Sequence, residues 1–481
     1  MEPCTPVWRL ACPASWSYAW DMEDLLAARL QMAVSLGLHI IFACIGMTMP
    51  WLMAVAEYRW LRTGDEDYLH LAKAWSKGVA VLFAVGAVSG TVLSLELGLL
   101  WPNFMLHAGP IIGMPFSWEG TAFFVEAIAI GLYLYGWQRL PRWVHWTSGV
   151  VVGIAGVVSG ILVLSANAWM NSPAGFTMVN GEAVNVDPVA AMFNDAWASQ
   201  ATHMVLAAFA STGFAVAGVH AIRILLGYQR VFHYHGTRLA MYFGAVAALL
   251  QPLSGDFSAK DIAERQPAKL AAAEAHFHTT TQAPLLVGGI PDEEEEEVHF
   301  GIELPGMLSF LAHSDFDAEV IGLDQFPKEE RPPVLVTHLA FQTMVGIGSL
   351  MALVSLIFLA LRFKRPNALR SKRFLQLLAA TTGLGFVATE AGWVVTEVGR
   401  QPYIIYGVMR TADAVTPMPG LLWPLIGTLL AYAALALCSL AVMMRLIHNS
   451  EWLPRGSLPI RPPSFDPETG VATSTPEVGH G

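Results

Sequence analysis

At 481 residues the chain has the length of two or three soluble domains, yet 54% of it is hydrophobic, only 14% is charged, and its mean hydropathy is +0.48. A soluble interior cannot hide that much apolar surface, so the composition points to lipid as the solvent. Acidic residues outnumber basic ones 38 to 27, a net charge of −11 that excludes a broad nucleic-acid-binding face; four cysteines exclude a disulfide scaffold, and no Cys-x-x-Cys-His run is present for covalent c-type haem attachment.

A bilayer core takes roughly 20 apolar residues per helix. Nine stretches qualify, at about 32–56, 76–101, 117–137, 144–168, 201–226, 238–254, 334–361, 374–395 and 420–446. The sequence therefore predicts an all-α integral membrane protein with nine transmembrane helices in a bundle. Residues 1–30 read as an N-terminal external segment, 31–254 as helices 1 to 6 and 255–333 as a long hydrophilic loop. Residues 334–447 read as helices 7 to 9, and 448–481, rich in Pro, Ser and Thr, as a disordered tail. The first 20 residues have no basic region ahead of an apolar core, so no cleaved signal peptide is expected.

Lys and Arg set the orientation. Counting those at the helix ends, the connections after helices 1, 3, 5 and 7 hold four, two, three and six basic residues, whereas those after helices 2 and 4 hold none. The positive-inside rule then puts the N-terminus and the 255–333 loop outside and the tail in the cytoplasm. The acidic run Asp292 to Glu297 in that loop reads as a solvated surface. Cys4 and Cys12 also lie outside, as free thiols by default and a disulfide in the alternative.

Ionisable side chains inside lipid are costly, so each is a functional candidate. His39, Glu96, Glu119, Glu126, His203, Glu390 and Glu397 occur on the apolar helices, with His338 and Met344 on helix 7. Singly, each has a plain explanation: a His bonds a neighbouring helix, a Met fills the core. Counted along the helices, polar groups from six of them converge on the outer layer; His220, roughly 25 Å along its helix from His203, is the exception. Histidine, methionine and carboxylate on facing helices are what haem within a bundle requires. Imidazole with thioether suits a low-spin iron, and a lone His or carboxylate leaves a position open for oxygen. The membrane histidines are too few to furnish a haem–copper centre as well.

These residues sit in motifs that resemble subunit I of the cytochrome bd-type quinol oxidases, from about Arg29 to Ile447. The motifs are Arg29-Leu30-Gln31 ahead of His39, Glu119-Gly120-Thr121-Ala122-Phe123-Phe124-Val125-Glu126, Ala166-Asn167-Ala168-Trp169-Met170, and Thr212-Gly213-Phe214 after His203. The loop adds Ser254-Gly255-Asp256, Gln266-Pro267-Ala268-Lys269-Leu270-Ala271-Ala272-Ala273-Glu274 and Gly289-Ile290-Pro291-Asp292. Phe341-Gln342-Thr343-Met344-Val345, Glu390-Ala391-Gly392-Trp393 and Gly399-Arg400-Gln401-Pro402 complete the set.

The resemblance implies a terminal oxidase of a bacterial or archaeal cytoplasmic membrane, which oxidises quinol near the outer face and reduces O2 to water. The proton gradient would arise by charge separation, without pumping. His203 and Met344 would be the axial ligands of a low-spin haem b. His39 and Glu390 would ligate two high-spin haems, one a haem b and the other haem d or a further haem b. Glu119 would lie beside iron and Glu126 relay protons, Lys269 and Glu274 would contact quinol, and Arg400 would pair with haem propionates. The implied partner is subunit II or a second related subunit I, with a small single-helix subunit as a further candidate. A redox- or oxygen-responsive haem protein on the same scaffold, without turnover, is the alternative reading. Two features depart from the family form. The helix 3 motif is one residue shorter, and Gln342 stands where some members carry an Arg, which removes a charge near the low-spin haem.

Overall fold

The computed structural model describes residues 14–228 and 231–448, so Cys4, Cys12 and the tail beyond 448 lie outside the described residues. The long helices are α1 (Ala14–Thr63), α2 (Glu66–Leu100), α3 (Pro102–Gly136) and α4 (Arg142–Asn171); the short α5 (Pro188–Met192) precedes α6 (Trp197–Leu225) and α7 (Val231–Arg265). After α7 come the short α8 (Pro267–Glu274) and α9 (Met307–His313), then α10 (Val334–Lys364), α11 (Lys372–Ala380), α12 (Leu384–Val398), the short α13 (Thr411–Ala414) and α14 (Leu422–His448).

Each of the nine apolar stretches falls on these helices. Among the described residues, seven helices are long and apolar enough to cross a membrane, α11 and α12 counting as one. The other two long ones, α3 and α7, carry the polar load: Glu119 and Glu126 interrupt α3, and Arg238 and Gln251 interrupt α7.

Three boundaries differ from the sequence expectation. The sixth stretch does not stop at 254 but runs helically to Arg265, supported by Lys260–Asp256 and Arg265–Asp261 pairs one turn apart. The eighth is broken at 381–383 between α11 and α12, where Thr382 fills the space that a side chain at Gly218 would need. At the N-terminus, helix already begins at Ala14, and the Asp24 carboxylate accepts from the backbone N–H groups of Gly420 and Leu421, fixing the start of α1 to the start of α14.

Small residues let the helices approach. A Cβ at Gly213 of α6 would lie 2.5 Å from the backbone nitrogen of Gly244 in α7. Leu52, Met53, Tyr68, Phe214, Met241 and Phe358 fill the core between them.

The segment after α7 is folded. Three antiparallel pairs nest inside one another: Thr280–Thr281 with Glu319–Val320, Leu285–Val287 with Ile302–Leu304, and Ile290–Asp292 with Glu297–His299. The arm is clamped to α10. His338 places Nδ1 2.9 Å from Ala273 O and Nε2 3.2 Å from Gly288 O, while Gln342 donates to Leu286 O and accepts from Gly288 N–H, both at 2.9 Å. The acidic run is more than a solvated surface. Glu293 accepts from the N–H groups of Val334 and Leu335 at the N-terminus of α10, and Glu296 pairs with Arg331 at 2.7 Å.

Candidate functional site

The candidate residues gather at the end of the bundle that bears the folded arm. His203 lies two turns into α6, and its ring is held from α7, with Nδ1 3.2 Å from Ser254 Oγ and Nε2 3.0 Å from Gln251 Nε2. Gln251 Nε2 also donates to the His203 carbonyl at 3.2 Å and its amide oxygen has no partner among the described residues, so the imidazole Nε2 becomes free for a metal only when this amide turns away. Met344 of α10 turns its thioether toward α12, where a Cβ at Gly392 would sit 3.0 Å from Sδ.

His39 of α1 places Nδ1 2.9 Å from Ser89 Oγ of α2, which leaves Nε2 as the outward nitrogen; a Cβ at Gly90 would come within 3.1 Å of its Cε1. Glu390 of α12 faces α1 across Gly37, where a Cβ would meet Oε2 at 3.1 Å; its Oε1 is buried and unpartnered. Both helix 3 acids address α4. Glu119 accepts from Ser159 Oγ at 3.0 Å, and Glu126 is buried with Oε1 3.4 Å from where a Cβ at Gly156 would be. The spacing of seven does put them on one face.

Arg400 is buried. One guanidinium nitrogen bonds Glu397 at 2.5 Å, while Nε and Nη1 have no partner. Glu397 also accepts from Asn167, whose Oδ1 accepts from Asn171 at 3.1 Å, and Asn171 Oδ1 accepts from Lys269 Nζ at 2.5 Å. A continuous polar line thus runs from α8 through α4 to α12. Lys269 and Glu274 are not brought together by it. Five positions apart on a helix they point about 140° from one another, and Glu274 is buried with both carboxylate oxygens unpartnered. Burial pushes Glu274 up to about 8. Burial, and then the Arg400 guanidinium, hold Lys269 well below the usual lysine range against the opposing pull of Glu397.

Two histidines singled out from the sequence are engaged elsewhere. His220, at the opposite end of the bundle, accepts from Trp75 Nε1 and lies 2.9 Å from His233, and both nitrogens of His338 serve the arm. Asn171 and Gln266 are the functional neighbours that sequence reasoning passed over. Asn171 stands one turn after Asn167, a same-face spacing from which it could have been read, and Gln266 donates to its carbonyl at 2.9 Å.

The donor set fits haem. An imidazole and a thioether on different helices, a second imidazole and a carboxylate each facing a glycine, and a buried guanidinium with two free N–H edges are chemically what iron ligation and propionate pairing call for.

Residues 27–451 match the family model described as cytochrome bd terminal oxidase subunit I, and the chain belongs to that family. It is a multi-pass protein of the bacterial cytoplasmic membrane. The chain is 39% identical over 403 residues to a Bacillus subtilis (strain 168) protein named as a candidate cytochrome bd menaquinol oxidase subunit I, covering 82% of this chain and 90% of that one. It is 33% identical to the cytochrome bd ubiquinol oxidase subunit 1 of the same organism, covering 82% and 87%. The solved bd oxidase from Geobacillus thermodenitrificans superposes with a TM-score of 0.84 at 38% identity, covering 89% of this chain and 98% of that chain.

Proposed function

We propose that this chain is the haem-bearing subunit of a quinol:O2 oxidoreductase, crossing the membrane nine times with its N-terminus and folded arm outside. The observation that carries the reading is the polar line from Lys269 to Arg400, which joins the arm to the end of α12, the helix that carries Glu390. His203 and Met344 hold a low-spin haem b; His39 and Glu390 hold the two high-spin haems, a haem b with a haem d or a second haem b. When bound, the haems supply electron transfer and the reduction of O2 to water.

The remaining work falls to the side chains. Quinol docks against α8, where Glu274 in its ionised form takes a proton from the quinol hydroxyl and releases it outside. Lys269 orients the headgroup from the Asn171 side. Arg400 fixes a propionate with its free N–H edges, and Glu397 holds that guanidinium in place. Glu126 passes protons drawn from the cytoplasm to Glu119, so charge separates without a pump. Subunit II, or a second related subunit I, would complete the assembly, with a small single-helix subunit as a further member.

A reduced-minus-oxidised spectrum of the purified complex, combined with quinol-driven O2 uptake, tests this. Haem bands with quinol-dependent uptake are expected. Haem bands without uptake would favour a redox-responsive protein, and absence of haem would remove both readings.

A further inference from the structure

The proton route just described begins at Glu126, in the middle of α3; its inner half has no assigned residues. A buried polar cluster lies at the end of the bundle opposite the arm, and three helices build it. His145 of α4 sets Nδ1 2.7 Å from Glu57 Oε1 of α1 and Nε2 2.8 Å from the Tyr133 carbonyl of α3. Glu57, His145 and Tyr133 are all buried. The Tyr133 and His145 rings lie 4.4 Å apart, and the half-buried Trp137 lies tilted against His145 at 4.1 Å. The cluster is not evident from the sequence, where Glu57 falls just beyond the first apolar stretch and His145 at the very start of the fourth.

The cluster is aligned with the two acids of α3. Glu119, Glu126 and Tyr133 recur every seven residues, so they share one face with steps of about 10 Å. That face packs on α4 along a ladder of glycines. A Cβ at Gly149 would clash with Tyr133 at 2.6 Å, one at Gly153 would meet Trp51 Nε1 at 3.0 Å, and one at Gly156 would approach Glu126 at 3.4 Å. Along this column Trp51 Nε1 is buried without a hydrogen-bond partner among the described residues, and Tyr133 Oη and Glu57 Oε2, which approach one another, lack a well-aligned one. Polar atoms so placed along one line in a bundle core are what ordered water satisfies.

We propose that Glu57, His145 and Tyr133 form the cytoplasmic inlet of the proton route, passing protons over water held by Tyr133 Oη and Trp51 Nε1 to Glu126 and on to Glu119. This rests on the oxidase reading and on its orientation. In each transfer one proton leaves a donor oxygen or nitrogen and one arrives behind it: the Glu57 carboxylate receives a proton from the inner surface, shares it with His145 Nδ1, and gives it by way of Tyr133 Oη to the water line, while His145 Nε2–H stays bound to the Tyr133 carbonyl. No electrons move in these steps. A purely structural ion pair would weld α1 to α4 but would not need Trp51 Nε1 left bare on the glycine ladder between the pair and Glu126.

The holoenzyme with its partner subunit, reconstituted in vesicles, decides the matter. Glu57→Gln keeps an acceptor for His145 but cannot carry a proton. Proton uptake from the inner side during oxygen reduction is expected to slow on the order of a hundredfold, with a larger solvent isotope effect and unchanged haem bands. One carboxylic-acid band is also expected to vanish from the redox-difference infrared spectrum. Tyr133→Phe, which keeps the ring packing, is expected to slow the same phase. Wild-type uptake and isotope effect in Glu57→Gln would overturn the inlet, as would slowing in Glu126→Gln without slowing in Glu57→Gln. A high-resolution map of the holoenzyme without water between Trp51 Nε1 and Glu126 would overturn it independently of turnover. Loss of haem bands or O2 uptake already in the wild type would overturn the oxidase reading first, and this inlet with it.

Discussion

The two ends of the segment between α7 and α10 hold buried or anchored acids that behave in opposite ways. At the hairpin end, Glu293 caps α10, Glu296 pairs with Arg331, and Gln342 satisfies two backbone groups of the arm. At the α8 end, Glu274 is buried with neither oxygen answered. A polar group that is fully paired holds structure; one left bare in a buried place is kept for a partner that comes and goes. Glu96 stands between these cases: one oxygen accepts from Gln31 and Ser35 at 3.0 Å each, while the other is buried and unpartnered, as Glu390 Oε1 is.

Substitutions can break this comparison or sharpen it. The largest effect is expected from His203→Ala, which removes an imidazole from the bare layer: the low-spin haem bands and quinol-driven O2 uptake should both disappear, and an unchanged reduced spectrum would defeat the ligand assignment. Next, Glu274→Gln should slow quinol oxidation on the order of a hundredfold, while CO binding to the dithionite-reduced protein stays as in the wild type. Equal losses in both would remove the division between arm and haem layer.

The pH dependence follows from the same carboxyl. Burial raises Glu274 to about 8, so at neutral pH most of it is protonated and cannot act as a base. Quinol oxidation should therefore rise with pH and level off above about 8, and Glu274→Gln should flatten that profile. A wild-type profile that falls through this range would reverse the assigned role.

The smallest effects belong to the paired end. Gln342→Leu leaves Gly288 N–H and Leu286 O unanswered and should loosen the arm by about 1–3 kcal/mol, read as faster amide exchange across 285–304. Glu293→Ala should cost about 1 kcal/mol through loss of the α10 cap, with near-normal turnover. Should Glu293→Ala slow quinol oxidation as much as Glu274→Gln, pairing would not distinguish scaffold from site.

Much of the site was legible before any coordinates, because membrane helices impose a local rule: a charged residue inside twenty apolar ones announces itself. His39, Glu119, Glu126, His203 and Glu390 were singled out that way, and the spacing of Glu119 and Glu126 put both on one helix face, which the structure packs on α4. Gln342 was legible only as a missing charge, since nothing in the sequence says that an amide on α10 will bond a strand 54 or 56 residues away. His220 and His338 looked like ligand candidates until their ring nitrogens proved to be taken. Lys269 and Glu274 were expected to contact quinol, and helix geometry turns their side chains about 140° from one another.

The sequence by itself determined the solvent, the apolar helical stretches and the family, since apolar length and local motif order are properties of contiguous residues. Only the tertiary structure decided which polar groups are spent and which are free. Partners such as Glu57 and His145, 88 residues apart, meet through packing alone, and burial turns an ordinary carboxylate such as Glu274 into a poised one.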